Sequence, residues 1–115
     1  MVEVIATDEF AEWYEALDSK DSNAVSRLVD LLAEYGVSLR RPYSGTIKTS
    51  RHGARELIAQ AGGRPLRVFY CFDPEREAIL LCGGDKTGDD RFYEVMVPLA
   101  DRLFETYLRE KKKKK

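Results

Sequence analysis

Apolar positions along the chain repeat at two spacings, which divide it into a helical beginning, a stranded middle and a helical end. Val2 to Ala6 is a short apolar run that reads as an edge strand. Thr7 or Asp8 can cap the helix that follows, because a short side-chain oxygen satisfies the orphan amides of a first turn. Phe10, Trp13, Tyr14 and Leu17 then fall at i, i+3, i+4 and i+7, one stripe facing a core. A second helix is predicted from about Asp21 or Ser22 through Val25, Leu28, Leu32 and Tyr35, ended by Gly36. The polar stretch Asp18 to Ser22 joins the two as a helical hairpin.

Periodicity is lost between Val37 and Ala54, where Arg40-Arg41-Pro42, Ser44-Gly45 and Arg51-His52-Gly53 read as a long basic loop. Three antiparallel strands follow, at Arg55 to Ala61, Arg64 to Phe72 and Glu77 to Gly84. Gly62-Gly63 and Asp73 to Arg76 form the two turns. Those turns place Ile58 opposite Arg67, Arg67 opposite Cys82, and Phe72 opposite Glu77. Alternation then gives one face Leu57, Ala59, Leu66, Val68, Tyr70, Phe72, Ile79 and Leu81, to pack on all the helices. The other face, expected to be open, carries Glu56, Ile58, Arg67, Phe69, Cys82 and, by extrapolation, Lys86. A last helix begins near Asp89 with Phe92, Met96, Leu99, Leu103 and Tyr107 at helical spacing, and Pro98 is expected to kink or divide it. The expectation is an α+β fold in one domain, residues 1–110, with a helical hairpin and a C-terminal helix on a small antiparallel sheet. Lysines 111–115 are expected to be a disordered tail.

The net charge of −1 conceals a segregation. Residues 1–35 carry nine acids against two bases, whereas residues 40–67 carry seven bases against Glu56 alone. A basic patch on an acidic body suits an anionic ligand approached by one face. With 43% hydrophobic and 34% charged residues the chain is ordinary globular material. No apolar run reaches the length of a membrane span, and Met1-Val2-Glu3-Val4 lacks the regions of an export signal, so a cytoplasmic location is expected. Cys71 and Cys82 fall about four residues out of register, about 13 Å at strand rise, too far for a disulfide. A single histidine, His52, excludes a two-histidine ribonuclease mechanism and a zinc site built on several imidazoles. No phosphate-binding loop, metalloprotease histidine pair or nucleophile elbow occurs, and Gly83-Gly84-Asp85-Lys86-Thr87-Gly88 has its lysine at the wrong glycine spacing.

That same segment carries a family likeness. Leu80-Leu81-Cys82-Gly83-Gly84-Asp85-Lys86-Thr87-Gly88, then Arg91-Phe92-Tyr93-Glu94 and Pro98-Leu99-Ala100-Asp101, resemble the HigB-like, phage-derived branch of the RelE toxin superfamily. Arg55-Glu56-Leu57 and Gly62-Gly63-Arg64-Pro65-Leu66-Arg67-Val68-Phe69-Tyr70 match it in the same order. The likeness covers roughly residues 2–109, and its helical N-terminal part matches only in pattern. The resemblance implies the toxin of a toxin–antitoxin pair, a ribosome-dependent endoribonuclease acting on messenger RNA without metal or cofactor. It also implies partners: a cognate antitoxin of helix-turn-helix type, the ribosome, and operator DNA reached only through that antitoxin. The superfamily also contains ParE-like gyrase inhibitors, so a non-enzymatic protein-binding toxin, or a catalytically silent antitoxin-binding homologue, stays open beside it.

Cleavage of RNA by its own 2′-hydroxyl needs a base, cationic donors for the developing phosphorane charge, and an acid for the leaving oxygen. Arg67 or Arg64 could grip phosphate, Lys86 could supply charge or a proton, and Glu56, diagonal to Arg67, is the nearest acid–base candidate. Arg55, Arg51 and His52 are candidate RNA contacts from the basic segment, and Tyr93 could stack on a base. Each has a plainer alternative: Arg67 paired with Glu56, Lys86 and His52 as surface residues, Arg55 bound to an acid of the first helix, Tyr93 in helix packing. One departure stands out. Relatives commonly read Arg-Glu-Leu-Arg where this chain has Arg55-Glu56-Leu57-Ile58, which removes a cation opposite Arg67.

Overall fold

In the computed structural model, which describes residues 1–113, the chain runs β1 (Val4–Ala6), α1 (Asp8–Glu15), α2 (Ser19–Tyr35), β2 (Ser44–Thr46), β3 (Arg55–Ala61), β4 (Arg64–Phe72), β5 (Ala78–Asp85) and α3 (Phe92–Lys113). One five-stranded sheet has the order β1-β5-β4-β3-β2. The fold is α+β, as expected. The sheet is mixed, since β1 pairs parallel to β5 at one edge while β2 to β5 are antiparallel. The supposed loop 37–54 contains β2, which closes the other edge; its three residues are too few to show alternation.

Local chemistry explains the helices. Thr7 Oγ1 accepts from the Phe10 amide at 3.1 Å to cap α1, and donates to Leu81 O at 2.7 Å, tying the helix to the sheet. Asp18, not Asp21 or Ser22, caps α2 by accepting from the Asp21 amide at 2.8 Å, so the hairpin link is shorter than expected. Val25, Leu28 and Leu32 are buried, whereas Tyr35, expected on the same stripe, is exposed. Helix α3 runs unbroken through Pro98, which lies on its exposed side, and continues to Lys113. The expected tail is therefore helical over its first three lysines; Lys114 and Lys115 lie outside the described residues.

The helices do not share one face of the sheet. Helices α1 and α2 pack on Leu57, Ala59, Leu66, Val68, Tyr70 and Leu80. Helix α3 covers the opposite face, through Val97, Ala100 and Phe104 against Phe69, Cys71, Ile79 and Leu81. The face expected to be open is thus largely core. Ile79 and Leu81 sit on the α3 side because β5 begins pairing one residue late, with Phe72 opposite Ala78. Asp73 causes the delay: its Oδ1 accepts from the Glu75 and Glu77 amides at 3.0 and 2.8 Å, which keeps Glu77 inside the turn. A bulge between Phe69 and Tyr70 adds a second residue of slip, so Arg67 faces Gly84 rather than Cys82. Two slips restore the original side, and Cys82 remains on the α3 face. Both cysteines are free and buried, and burial pushes each thiol up to about 12.

The end of α3 is anchored to the same turn. Lys111 Nζ lies 2.7 Å from Asp73 Oδ2 and 2.8 Å from Glu77 Oε1, and also contacts Glu75. Burial works to raise the Asp73 carboxyl, but hydrogen bonds from Lys111 and the Glu77 amide outweigh it and hold the group below its ordinary value. Stability from this clamp is present above the ordinary aspartate value of 3.8 and is lost as pH falls through the lower folded value. Asp73→Ala should cost about 1–3 kcal/mol near neutral pH, through the two unsatisfied turn amides and the lost Lys111 bond. Chemical denaturation at pH 7 and pH 3 checks this, and the difference between wild type and variant should shrink at the lower pH.

Candidate functional site

Four side chains from separate segments meet where β3, β4 and the start of α3 converge. Glu56 is buried on β3 and stands opposite Phe69, one diagonal step from Arg67 on β4. Arg67 Nε lies 3.4 Å from Glu56 Oε1, with the two side chains 11% and 8% exposed. Tyr93, in the first turn of α3, donates its hydroxyl to the same Glu56 oxygen at 2.7 Å. Lys86, just past β5, holds its ammonium 5.3 Å from the centre of the Tyr93 ring. The backbone brings Lys86 here: its amide donates to Pro65 O at 3.0 Å, continuing the β4–β5 ladder beyond Asp85.

The electrostatics follow from this packing. Burial, then the Glu56 hydrogen bond and charge, raise the Tyr93 phenol above its ordinary value against the opposing pull of Arg67, so it stays a proton donor. Arg67 Nη1 donates to Leu66 O at 3.0 Å. Its Nε is the buried side-chain polar atom without a hydrogen-bond partner among the described residues. Such an atom is costly to leave unsatisfied, and the carboxylate oxygen of Glu56, 3.4 Å away, is the charge that offsets it. A cleft of about 660 Å³ meets the cluster at Tyr93 alone, with Pro98 and Asp101 from α3 and Arg51 from the loop before β3 among its other walls; Glu56, Arg67 and Lys86 do not line it.

The other expected site residues go elsewhere. Arg64 is three residues from Arg67 on the same strand, an odd step that points it to the α2 side. There it pairs with Asp21 and lies 3.5 Å from Asp85 Oδ2, so its expected catalytic place is corrected to a latch between α2 and the hairpin. Arg55 also faces the α2 side, donating to Val37 O at 3.0 Å and lying over the Phe72 ring rather than pairing with a helix acid. His52 is docked on α3, with Nε2 2.8 Å from Glu105 Oε2 and its ring 5.5 Å from that of Phe104. Arg51 Nη2 donates to the same Glu105 oxygen at 2.8 Å while its amide donates to Asp101 at 3.0 Å, which leaves it on the cleft wall as a half-committed cation. The His52 hydrogen bond is the main cause of the lowered Glu105 carboxyl. Asp101 and Glu105 anchor the whole 50–52 segment and were not singled out from the sequence, although their i, i+4 spacing marks them as one acidic helix face.

Residues 12–105 match the family described as phage derived protein Gp49-like. The chain belongs to this family, within the RelE/HigB toxin superfamily. It is 36% identical over 107 residues to the candidate toxin HigB3 of Mycobacterium tuberculosis (strain ATCC 25618 / H37Rv), covering 91% of this chain and 92% of that protein. It is 32% identical over 104 residues to the candidate toxin HigB2 of the same organism, covering 88% of this chain but only 52% of that protein. Among solved structures it resembles a double-arginine mutant of Escherichia coli toxin RelE in the free state, with TM-score 0.60 and 8% identity over 83% of this chain and 94% of the other. At that identity the likeness speaks for the Gp49-like chain's fold alone. No described helix of this family member is long and apolar enough to cross a membrane.

Proposed function

We propose that the chain is the toxin of a toxin–antitoxin pair and an endoribonuclease that cleaves messenger RNA on the ribosome, in the cytoplasm, until a helix-turn-helix antitoxin restrains it. Residues 1–110 would act as one toxin unit, reaching operator DNA only through the antitoxin. The observation that carries this reading is the clustering of Glu56, Arg67, Tyr93 and Lys86, with Tyr93 on the wall of an open cleft. Glu56 takes the proton of the 2′-hydroxyl, whose oxygen bonds to the adjacent phosphorus. Arg67 and Lys86 hold the negative charge that builds on the phosphoryl oxygens. As the P–O5′ bond breaks, Tyr93 gives its proton to the leaving oxygen and recovers one from Glu56 through their 2.7 Å hydrogen bond. Every proton is accounted for within the cluster, and the chemistry calls for no cofactor. Arg51, on the cleft wall, would exchange its Glu105 contact for a neighbouring phosphate.

A second reading has one observation in its favour. Arg67 is largely covered and balanced by Glu56, and the uncharged Ile58 stands directly opposite it. This suits a toxin that binds a protein such as gyrase without cleaving RNA, or a silent homologue that keeps only its antitoxin. Induction in growing cells, with mapping of RNA 5′ ends and analysis of the matching 3′ ends, separates the readings. The ribonuclease should leave new fragments ending in a 2′,3′-cyclic phosphate or its opened phosphate. Intact messages together with poisoned DNA supercoiling, or fragments ending in a free 3′-hydroxyl, would reject it.

A further inference from the structure

The cations of residues 40–67 meet different fates. Arg51, Arg64 and Arg67 are each matched to carboxylates. For Arg40, Arg41 and Arg55 no ion pair occurs among the described residues, and these three line a cleft of about 400 Å³ along the β2 edge. Ser44, Gly45 and Thr46 supply part of its wall, and no acidic side chain lines it.

Two of the three guanidinium groups have a defined setting: Arg55 is bonded, and Arg41 lies over a strand glycine. Arg41 lies against Gly45 so closely that a Cβ there would come within 3.0 Å of Arg41 Nη2 and 3.3 Å of Cζ. Arg55 is fixed by its bond to Val37 O at 3.0 Å and by the Phe72 ring 5.4 Å below it. A guanidinium carries five donors, so these contacts leave several for a ligand. Strand alternation puts Arg55 on the opposite face of β3 from Glu56, which makes this cleft separate from the Glu56–Arg67 cluster.

Three guanidinium groups without acidic partners around a polar wall match the charge and donor geometry that phosphate requires. We infer that the β2 edge cleft is a phosphodiester-binding site, in which Arg40, Arg41 and Arg55 grip an RNA backbone away from the scissile bond. The choice of RNA among phosphate-bearing ligands rests on the function proposed above. The wall itself disfavours an acidic protein segment, because protein anchors need a desolvated apolar pocket and here Val37 and Leu39 are the only apolar linings beside arginine, serine, threonine and glycine.

Fluorescence anisotropy with a fully 2′-O-methylated RNA strand, which cannot be cleaved through its 2′-oxygen, reads binding without turnover. Across a salt series Arg40→Gln with Arg41→Gln should weaken binding by about 10-fold and reduce the slope of log affinity against log salt by about two. Gly45→Ala keeps every charge and displaces only the Arg41 guanidinium; it should weaken binding by about 3-fold. Lys20→Gln with Arg27→Gln, on α2, should change neither quantity. Unaltered affinity and slope in the Arg40/Arg41 variant overturn the inference. So do two further results: amide shifts at Gly45 and Thr46 with inorganic phosphate while RNA affinity is unaffected by the variant, marking a free-anion site; and displacement of RNA by polyglutamate at equal charge, marking a protein-binding site. Binding through Arg40 and Arg41 by a chain that cuts no RNA would remove the proposed activity and leave this site standing. Cleavage that survives with RNA bound elsewhere would do the reverse.

Discussion

Arg67→Ala should lower the rate of message cleavage by about two to three orders of magnitude, the usual loss when one preorganised donor to a developing oxyanion is removed. The same change strands the Glu56 carboxylate, 6% exposed, with Tyr93 as its remaining partner. Breaking a buried pair costs about 3 kcal/mol, so the single variant alone would confuse chemistry with folding. Glu56→Gln combined with Arg67→Gln removes both charges and keeps the hydrogen-bonding shapes. That double variant should melt close to wild type and still fail to cleave. If it cleaves normally, Arg67 is only a structural partner of Glu56 and the proposed chemistry is wrong. Mapped RNA 5′ ends and thermal melts of the same preparations supply both readouts.

Gly83→Ala should destabilise the fold by about 2 kcal/mol, within the range for over-packing a well-filled core. A Cβ at this position would lie 2.4 Å from two carbons of the Trp13 ring, which sits directly on β5. The next residue is hemmed in from the other side, since a Cβ at Gly84 would meet Phe92 at 2.9 Å. The paired glycines therefore let α1 and α3 approach opposite faces of one strand just before it delivers Lys86. Trp13→Leu in the Gly83→Ala background should recover part of the loss, giving a double-mutant coupling of at least about 0.5 kcal/mol. Purely additive effects in denaturant melts would show that the indole does not press on the strand.

The elements that were legible in the sequence are those whose signal is local. Gly62-Gly63 set the β3–β4 hairpin, both with positive φ at 55° and 82°, and the Ile58 to Arg67 pairing followed correctly. The β4–β5 pairing did not follow, because Asp73 accepts two amides and holds Glu77 in the turn, and because the bulge at Phe69–Tyr70 has no composition that announces it. In the candidate site Glu56, Arg67 and Lys86 could be grouped by alternation along the strands. Tyr93 could not, since its approach depends on which face α3 covers. Nearness in sequence gave no sign that Arg64 turns to Asp21, or that the acids of α3 hold Arg51 and His52.

From residue order alone came the α+β class, the α1 cap and the Gly62-Gly63 turn, the family, and a basic segment set in an acidic chain. These depend on interactions spanning a few residues or on side-chain chemistry that survives in any conformation. Tertiary structure alone decided that α3 covers the second face, that six neighbouring arginines divide between carboxylate partners and an open cleft, and that a tyrosine completes the Glu56–Arg67 pair. The reason is that a sheet has two faces of equal standing. Each face that a helix covers commits its inward side chains to core, and most of the charged groups lie at the edges that remain.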